Sequence, residues 1–194
     1  APSVVAFMEV NARVHVEHTV TEQVTGIDLV QAQLQVADGA TLHDLGLTQD
    51  HVPPPRGFAV QVRVNTETMT AEGLARPAGG TMTTFEVPTG PGIRTDTYGY
   101  AGYTTSPSFD SLLAKVVGHS PAPRYDEAVR RTRRALAEFR IEGLKTNLAF
   151  MQALLDRPEV QANDVTTGFI AEHGAELVAA AEQIAADTEA RWFP

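Results

Sequence analysis

Glu9, Asn11, Arg13, His15 and Glu17 stand at alternate positions near the start of the chain, with Met8, Val10, Ala12, Val14 and Val16 between them. An extended chain sends successive side chains to opposite faces. The spacing therefore predicts a strand with one apolar face and one face that carries two carboxylates, an amide, a guanidinium and an imidazole. Hard cations such as Mg²⁺ take one or two carboxylates together with substrate phosphates, and amide oxygens can join them. Glu9 and Asn11 supply that pair of oxygens. Arg13 offers a fork that matches a small planar oxyanion. Glu17 becomes a general base if burial raises its pKa. The plain alternative is a strand with one wet face. A zinc site built from His15, His18 and a glutamate is a weaker metal reading. The i, i+3 spacing of the histidines suits a helix, and no second cluster supplies the remaining ligands.

Arg63 is a second candidate. Phe58, Val60, Val62 and Val64 alternate with Ala59, Gln61, Arg63 and Asn65, so Arg63 emerges from the polar side of a half-buried strand. Taken alone it reads as one half of a surface ion pair, which is worth little. Nucleotide phosphates call for a Gly-rich loop or for lysines aimed at them. The two lysines, Lys115 and Lys145, lie near no such loop, and Gly79-Gly80 reads as a hairpin turn. No Ser-His-Asp or Cys-His arrangement supports nucleophilic catalysis.

The elements that must position these residues follow from periodicity and punctuation. Val4 to Val10 reads as a buried strand. Asp28 is a good N-cap for a helix through Ala37, with Leu29, Val30, Leu34 and Ala37 on one face and Gly39 as its stop. His43 to Arg56 holds no clear period, ends in Pro53 to Pro55, and reads as a boundary between two units. Short strands are predicted at Phe58–Asn65, Thr81–Val87, Ile93–Thr97 and Leu112–Val117, with turns at Ala78-Gly79-Gly80 and Thr89-Gly90-Pro91-Gly92. Together they suggest a small antiparallel sheet. Helices are predicted at Tyr125–Phe139, with Val129, Thr132, Leu136 and Phe139 on one stripe, at Asn147–Leu155, and at the alanine-rich Ala175–Arg191.

The 194 residues are 43% hydrophobic, ample for a core. A formal net charge of −9 argues against a nucleic-acid partner, since phosphate binding wants a basic face. The chain has no cysteine, which excludes disulfides and thiolate chemistry and fits a reducing, cytoplasmic setting. No apolar run approaches the roughly 20 residues needed to span a bilayer. A strand beginning almost at Ala1, with nothing to pair with before it, is expected to belong to something longer.

At this point the letters become recognisable. Phe7 to Val24, FMEVNARVHVEHTVTEQV, followed by Thr25-Gly26-Ile27-Asp28-Leu29-Val30, closely resembles the biotin carboxylase signature, in which a Glu-x-Asn-x-Arg-x-x-Val-Glu-His core precedes Val-Thr-Glu. Ala59 to Asn65 is similar to the strand that carries this family's active-site arginine. Tyr100 to Lys115 and Glu142 to Asn147 are similar to later blocks. The resemblance runs from about Val5 to about His173, in several ordered blocks. Other ATP-grasp enzymes share the Glu-x-Asn element but not its Val-Glu-His continuation.

The resemblance implies roles. Glu9 and Asn11 would hold Mg²⁺ (or Mn²⁺) against the phosphates of ATP. Arg13 and Val16 would bind bicarbonate, Val16 through its backbone. Glu17 would deprotonate bicarbonate for attack on the γ-phosphate, giving carboxyphosphate, which releases CO₂ for capture by biotin. Arg63 would steady the charge that develops on biotin and touch the bicarbonate or phosphate. His15 departs from the family, which usually has glutamine there as part of the bicarbonate pocket. Asp110 reads as structural or dimer-related.

The implied fold is α+β: the last strand and helix of an ATP-grasp domain over 1–38, a connector over 39–56, and a biotin carboxylase C-terminal domain, an antiparallel sheet with flanking helices, over 57–173. Residues 174–194 would form a helical tail or linker. The family's Gly-rich lid and phosphate lysines have no counterpart in this sequence, so the chain on its own is expected to be inactive. Implied partners are a biotinyl carrier domain, a carboxyltransferase component and a second copy of the parent. The alternative function is a non-catalytic dimerisation or assembly module of a multifunctional carboxylase. Carboxylases of acetyl-, propionyl- and longer acyl-CoA, of pyruvate and of urea share this component, so the final acceptor stays open.

Overall fold

The computed structural model describes residues 7, 9–106 and 108–192. Two helices come first, α1 (His18–Thr25) and α2 (Leu29–Ala37). Strands follow: β1 (Phe58–Asn65), β2 (Glu67–Met69), β3 (Ala75–Pro77), β4 (Gly80–Thr81), β5 (Thr84–Glu86), β6 (Ile93–Thr97), β7 (Thr104–Thr105) and β8 (Leu112–Ser120). The chain then runs through α3 (Tyr125–Glu138), β9 (Arg140–Glu142), α4 (Leu148–Leu155), α5 (Pro158–Gln161) and α6 (Phe169–Trp192). Among the described residues no helix is long and apolar enough to cross a membrane.

The centre is a three-stranded antiparallel sheet in the order β1-β8-β6. Val62 lies opposite Val116 and Val64 opposite Ala114. This apolar row is buried against Val129, Leu136 and Phe139 of the α3 end and Leu148 and Leu155 of α4. Each such side chain contributes roughly 1.5–3 kcal/mol by leaving water. The stripe predicted on α3 is therefore the face it buries. Gly118 lets α3 lie close to the sheet, because a Cβ there would come within 2.2 Å of Thr132 Oγ1. Three two-stranded pairs, β2-β3, β4-β7 and β5-β9, surround the centre.

Local rules explain the element ends. Asp28 caps α2, its Oδ1 accepting from the Gln31 N–H at 2.8 Å, a contact worth about 1 kcal/mol. Gly26 closes α1 at φ 77°, where its N–H reaches the Glu22 carbonyl, a conformation that suits glycine.

Four expectations differ from the structure. First, no strand forms over Glu9–Glu17. Arg13 N donates to Asn11 O at 2.8 Å and His18 N to His15 O at 3.3 Å, so local turns take the place of a ladder. An extended segment needs a neighbour for its backbone groups, and among the described residues none pairs with this one. The strand expected at Val4–Val10 lies mostly outside the described residues, and the described Phe7 and Val10 are exposed. Second, the apolar face of α2 meets no core: Val30 and Leu34 are exposed. Third, Thr81–Val87 is two strands. It breaks at Met82-Thr83, where Met82 N bonds to Tyr103 O and Thr83 N to Glu142 O, both at 2.9 Å. Gly80 is then a strand residue paired with Thr105, not the tip of a hairpin. Fourth, the last helix begins at Phe169 rather than Ala175.

Candidate active site

The two faces of the central sheet have opposite characters. Val60, Val62 and Val64 point to the core, so Gln61, Arg63 and Asn65 point away from it. Across the strands Arg63 stands opposite Lys115, and Lys115 opposite Asp96. One register step along, Gln61 and Arg94 flank Val117. This polar face is covered by α1 and the turn before it. Thr19, fully buried, donates its hydroxyl to Gln61 Oε1. Arg94 donates to Glu22 Oε2 at 2.6 Å and to both oxygens of Asp96 at 2.9 and 3.1 Å. Glu22 in turn accepts from Leu29 N at 2.9 Å, which ties α2 to α1.

This packing carries Glu17, just before α1, onto Arg63. The Arg63 guanidinium donates to Glu17 Oε1 across 46 positions of sequence. Both side chains remain about half exposed, Glu17 at 55% and Arg63 at 47%. Burial acts to raise the Glu17 pKa, but it is outweighed: the residue's own backbone N–H, the largest influence, together with Arg63 and His15 holds the carboxyl below the usual range. Lys115, only 13% exposed, donates to Val16 O at 3.4 Å and pairs with Asp96 at 3.1 Å. Burial acts to raise the Asp96 pKa, but Arg94 and Lys115 outweigh it and hold that carboxyl low.

Arg13, His15 and Glu17 line one cleft of about 750 Å³, whose other wall is Leu29, Ala32 and Val36 of α2 with Leu42 and Leu47 beyond it. Val14 and His18 line the cleft as well, so these residues meet through the turns and α1 and not through the alternation of an extended chain. Glu9 and Asn11 stand apart from the cleft lining as an exposed pair, Asn11 Nδ2 donating to Glu9 Oε1 at 2.9 Å. A carboxylate and an amide held together suit a hard cation as half of a ligand set, with phosphate oxygens to complete it. Among the described residues no group of three or more His, Asp or Glu is placed to hold a metal ion, so these two need outside ligands to do so.

Sequence reasoning passed over two residues here. Lys115 is a lone charge inside the apolar run Leu112–Ser120, and such a charge is seldom buried without a partner. Asn147 is the other. β1 is an edge strand, and Asn147 serves as its missing neighbour. It accepts from Asn65 N at 2.9 Å, donates Nδ2 to Arg63 O at 3.2 Å, and donates its own N–H to Asn65 O at 3.1 Å. A buried side-chain amide thus fixes the backbone that carries Arg63.

Comparison with known families places this arrangement. The family described as "Biotin carboxylase C-terminal domain" matches residues 61–172, more than half of the chain. The chain belongs to the biotin carboxylase family. A second family, "Carbamoyl-phosphate synthase L chain, ATP binding domain", matches residues 2–45, which carry Glu9 to Glu17. Among curated relatives, a pyruvate carboxylase of Pichia angusta is 44% identical over 165 residues, 84% of this chain and 14% of that protein. Among solved structures, the biotin carboxylase domain of a single-chain bacterial carboxylase is 46% identical with a TM-score of 0.82, over 92% of this chain and 40% of that one. The biotin carboxylase domain dimer of the Hydrogenobacter thermophilus 2-oxoglutarate carboxylase, in complex with MgADP, ADP and bicarbonate, is 34% identical with a TM-score of 0.77, over 86% of this chain and 35% of that one. The biotin carboxylase likeness thus covers nearly all of this chain but only a minor part of each relative.

Proposed function

We propose that this chain provides the bicarbonate-activating wall of an ATP-dependent biotin carboxylase within a larger carboxylase. The observation that carries the reading is the Glu17–Arg63 contact, which joins a carboxylate and a guanidinium from separate parts of the fold beside a cleft lined by Arg13 and His15. In this reading Arg13, His15 and the Val16 backbone seat bicarbonate, and Glu17 removes its proton. The bicarbonate oxygen then attacks the γ-phosphorus of ATP, giving carboxyphosphate and ADP. Carboxyphosphate breaks down to CO₂ and phosphate, and the ureido nitrogen of biotin takes up the CO₂ as its proton passes to that phosphate.

Arg63 has two calls on it. Paired with Glu17 it keeps that carboxylate a weak base. A bound oxyanion would draw the guanidinium towards itself, so Glu17 would lose a lowering contact and gain basicity as its substrate arrives. Arg63 is then placed to offset the negative charge that develops in each later step. Glu9 and Asn11 would hold Mg²⁺ (or Mn²⁺), which when bound offsets charge on the ATP phosphates.

The same reading includes a biotinyl carrier domain, a carboxyltransferase component and a homodimeric parent as partners. The division into 1–38, 39–56, 57–173 and 174–194 is part of it too. The acceptor is left open, because relatives named for pyruvate and for 2-oxoglutarate match the same segment. The test is ATP cleavage and free-biotin carboxylation by the complete carboxylase containing this chain. ATP cleavage should depend on bicarbonate, and Glu17→Gln should lower it by about 10²–10⁴-fold. A Glu17→Gln enzyme with normal turnover would remove Glu17 from the role of base.

A further inference from the structure

Lys115 is the one ammonium on the polar face of the central sheet among the described residues, its side chain only 13% exposed, and its two contacts differ in kind. Asp96, from the next strand in the same transverse row, supplies the counter-charge at 3.1 Å. The other contact, to Val16 O at 3.4 Å, leaves the sheet and reaches the turn before α1. Balancing the charge needs only the first. The second falls on one particular peptide unit, the one that joins Val16 to Glu17. No described peptide bond is cis, so the carbonyl of this unit points one way and the Glu17 N–H the opposite way. That N–H is the main favourable influence on the Glu17 carboxylate.

We infer that Lys115 is a positioning residue for the proton-accepting carboxylate: by holding the Val16 carbonyl, its ammonium orients the Val16–Glu17 peptide plane, and through that plane Glu17. The inference rests on the reading of Glu17 as the base that acts on bicarbonate. The parts form a chain of contacts. Asp96 fixes Lys115, Lys115 fixes one side of the peptide, and the other side of the peptide and Arg63 share the carboxylate. A cation on the carbonyl also polarises the peptide and strengthens its N–H as a donor. The groups that act on Glu17 are thus Arg63 from β1, Lys115 from β8 with Asp96 of β6 behind it, and His15 from its own segment. Lys115 is not among the residues that line the cleft, so its effect passes through Val16 and Glu17.

The test uses the complete carboxylase containing this chain, assayed for bicarbonate-dependent ATP cleavage. Lys115→Met keeps the apolar stem and removes the ammonium. It should lower kcat with bicarbonate by about tenfold or more and raise the bicarbonate KM, while the ATP KM stays within about twofold. Loss of the N–H contact raises the Glu17 pKa, so the acid limb of the pH–rate profile should move to higher pH. Lys115→Arg, which can donate to both oxygens, should recover most of the lost rate. If Lys115→Met does not fold, Lys115→Gln keeps a polar head in the sheet and is read in its place with the same expected split. Wild-type bicarbonate kinetics in a folded Met or Gln variant would overturn the inference, as would an equal loss in the ATP and bicarbonate parameters. Glu17→Gln, run alongside, separates the two claims: if it keeps normal turnover, the assignment of the base fails whatever Lys115 does.

Discussion

Glu17 illustrates how a side chain's identity can be read from sequence while its state cannot. Its own N–H and Arg63 hold it ionised, and it stays open to solvent. His15 adds to the same lowering. His15→Gln removes that contribution while leaving the N–H and Arg63 in place, so the acid limb of the bicarbonate-dependent pH–rate profile should move to higher pH. Paired pH–rate profiles of the two enzymes would check it, and superimposable profiles would refute it.

At the scale of elements, the site is an α1 layer laid over the polar face of a sheet whose other face is core. Arg63 is held from behind by Asn147, which is 1% exposed and bonded to the Arg63 carbonyl and the Asn65 N–H. Asn147→Ala would leave the Arg63 carbonyl and the Asn65 N–H without partners. It should destabilise the fold by about 1–3 kcal/mol, read as a lower denaturant midpoint at unchanged m. A midpoint equal to that of the wild type would contradict the clamp. β1, β6, β8, α2, α3 and α4 could all be read from period and caps, because each obeys a local rule. The failures have physical causes. The Glu9–Glu17 alternation mimics a strand, but strands are completed by neighbours, and here turns satisfy the backbone. Gly80 pairs with Thr105, a partner that no local turn rule reveals. Lys115 and Asn147 act through contacts with Val16 and Arg63, 99 and 84 positions away. Of the candidate site, Arg13, His15 and Glu17 are legible as a row of polar types, and Arg63 on spacing alone only as half of an ion pair, its place in the site coming from the resemblance; the lowered Glu17 pKa depends on its backbone N–H and on Arg63, which only the fold brings together.

At the scale of the whole molecule, the proposed function makes the chain one wall of a site. It covers 40% of the biotin carboxylase domain it resembles and 14% of a pyruvate carboxylase. Phosphate-cradling glycines and lysines are not found around Glu9 and Asn11 in this sequence. The 194-residue chain alone should therefore show no bicarbonate-dependent ATP cleavage above a no-protein control, and robust turnover would show that the rest of the ATP-grasp fold is dispensable. The central claim is that Glu17 and Arg63 act as one unit on bicarbonate. A double-mutant cycle in the complete carboxylase tests it most directly, with Glu17→Gln, Arg63→Ala and the pair compared in bicarbonate-dependent biotin carboxylation. Groups that act together lose little more when both are removed than when one is. We predict a loss of roughly 10²-fold or more for each single variant and about the same loss for the double. Losses that multiply, or a single variant that retains normal carboxylation, would contradict the account.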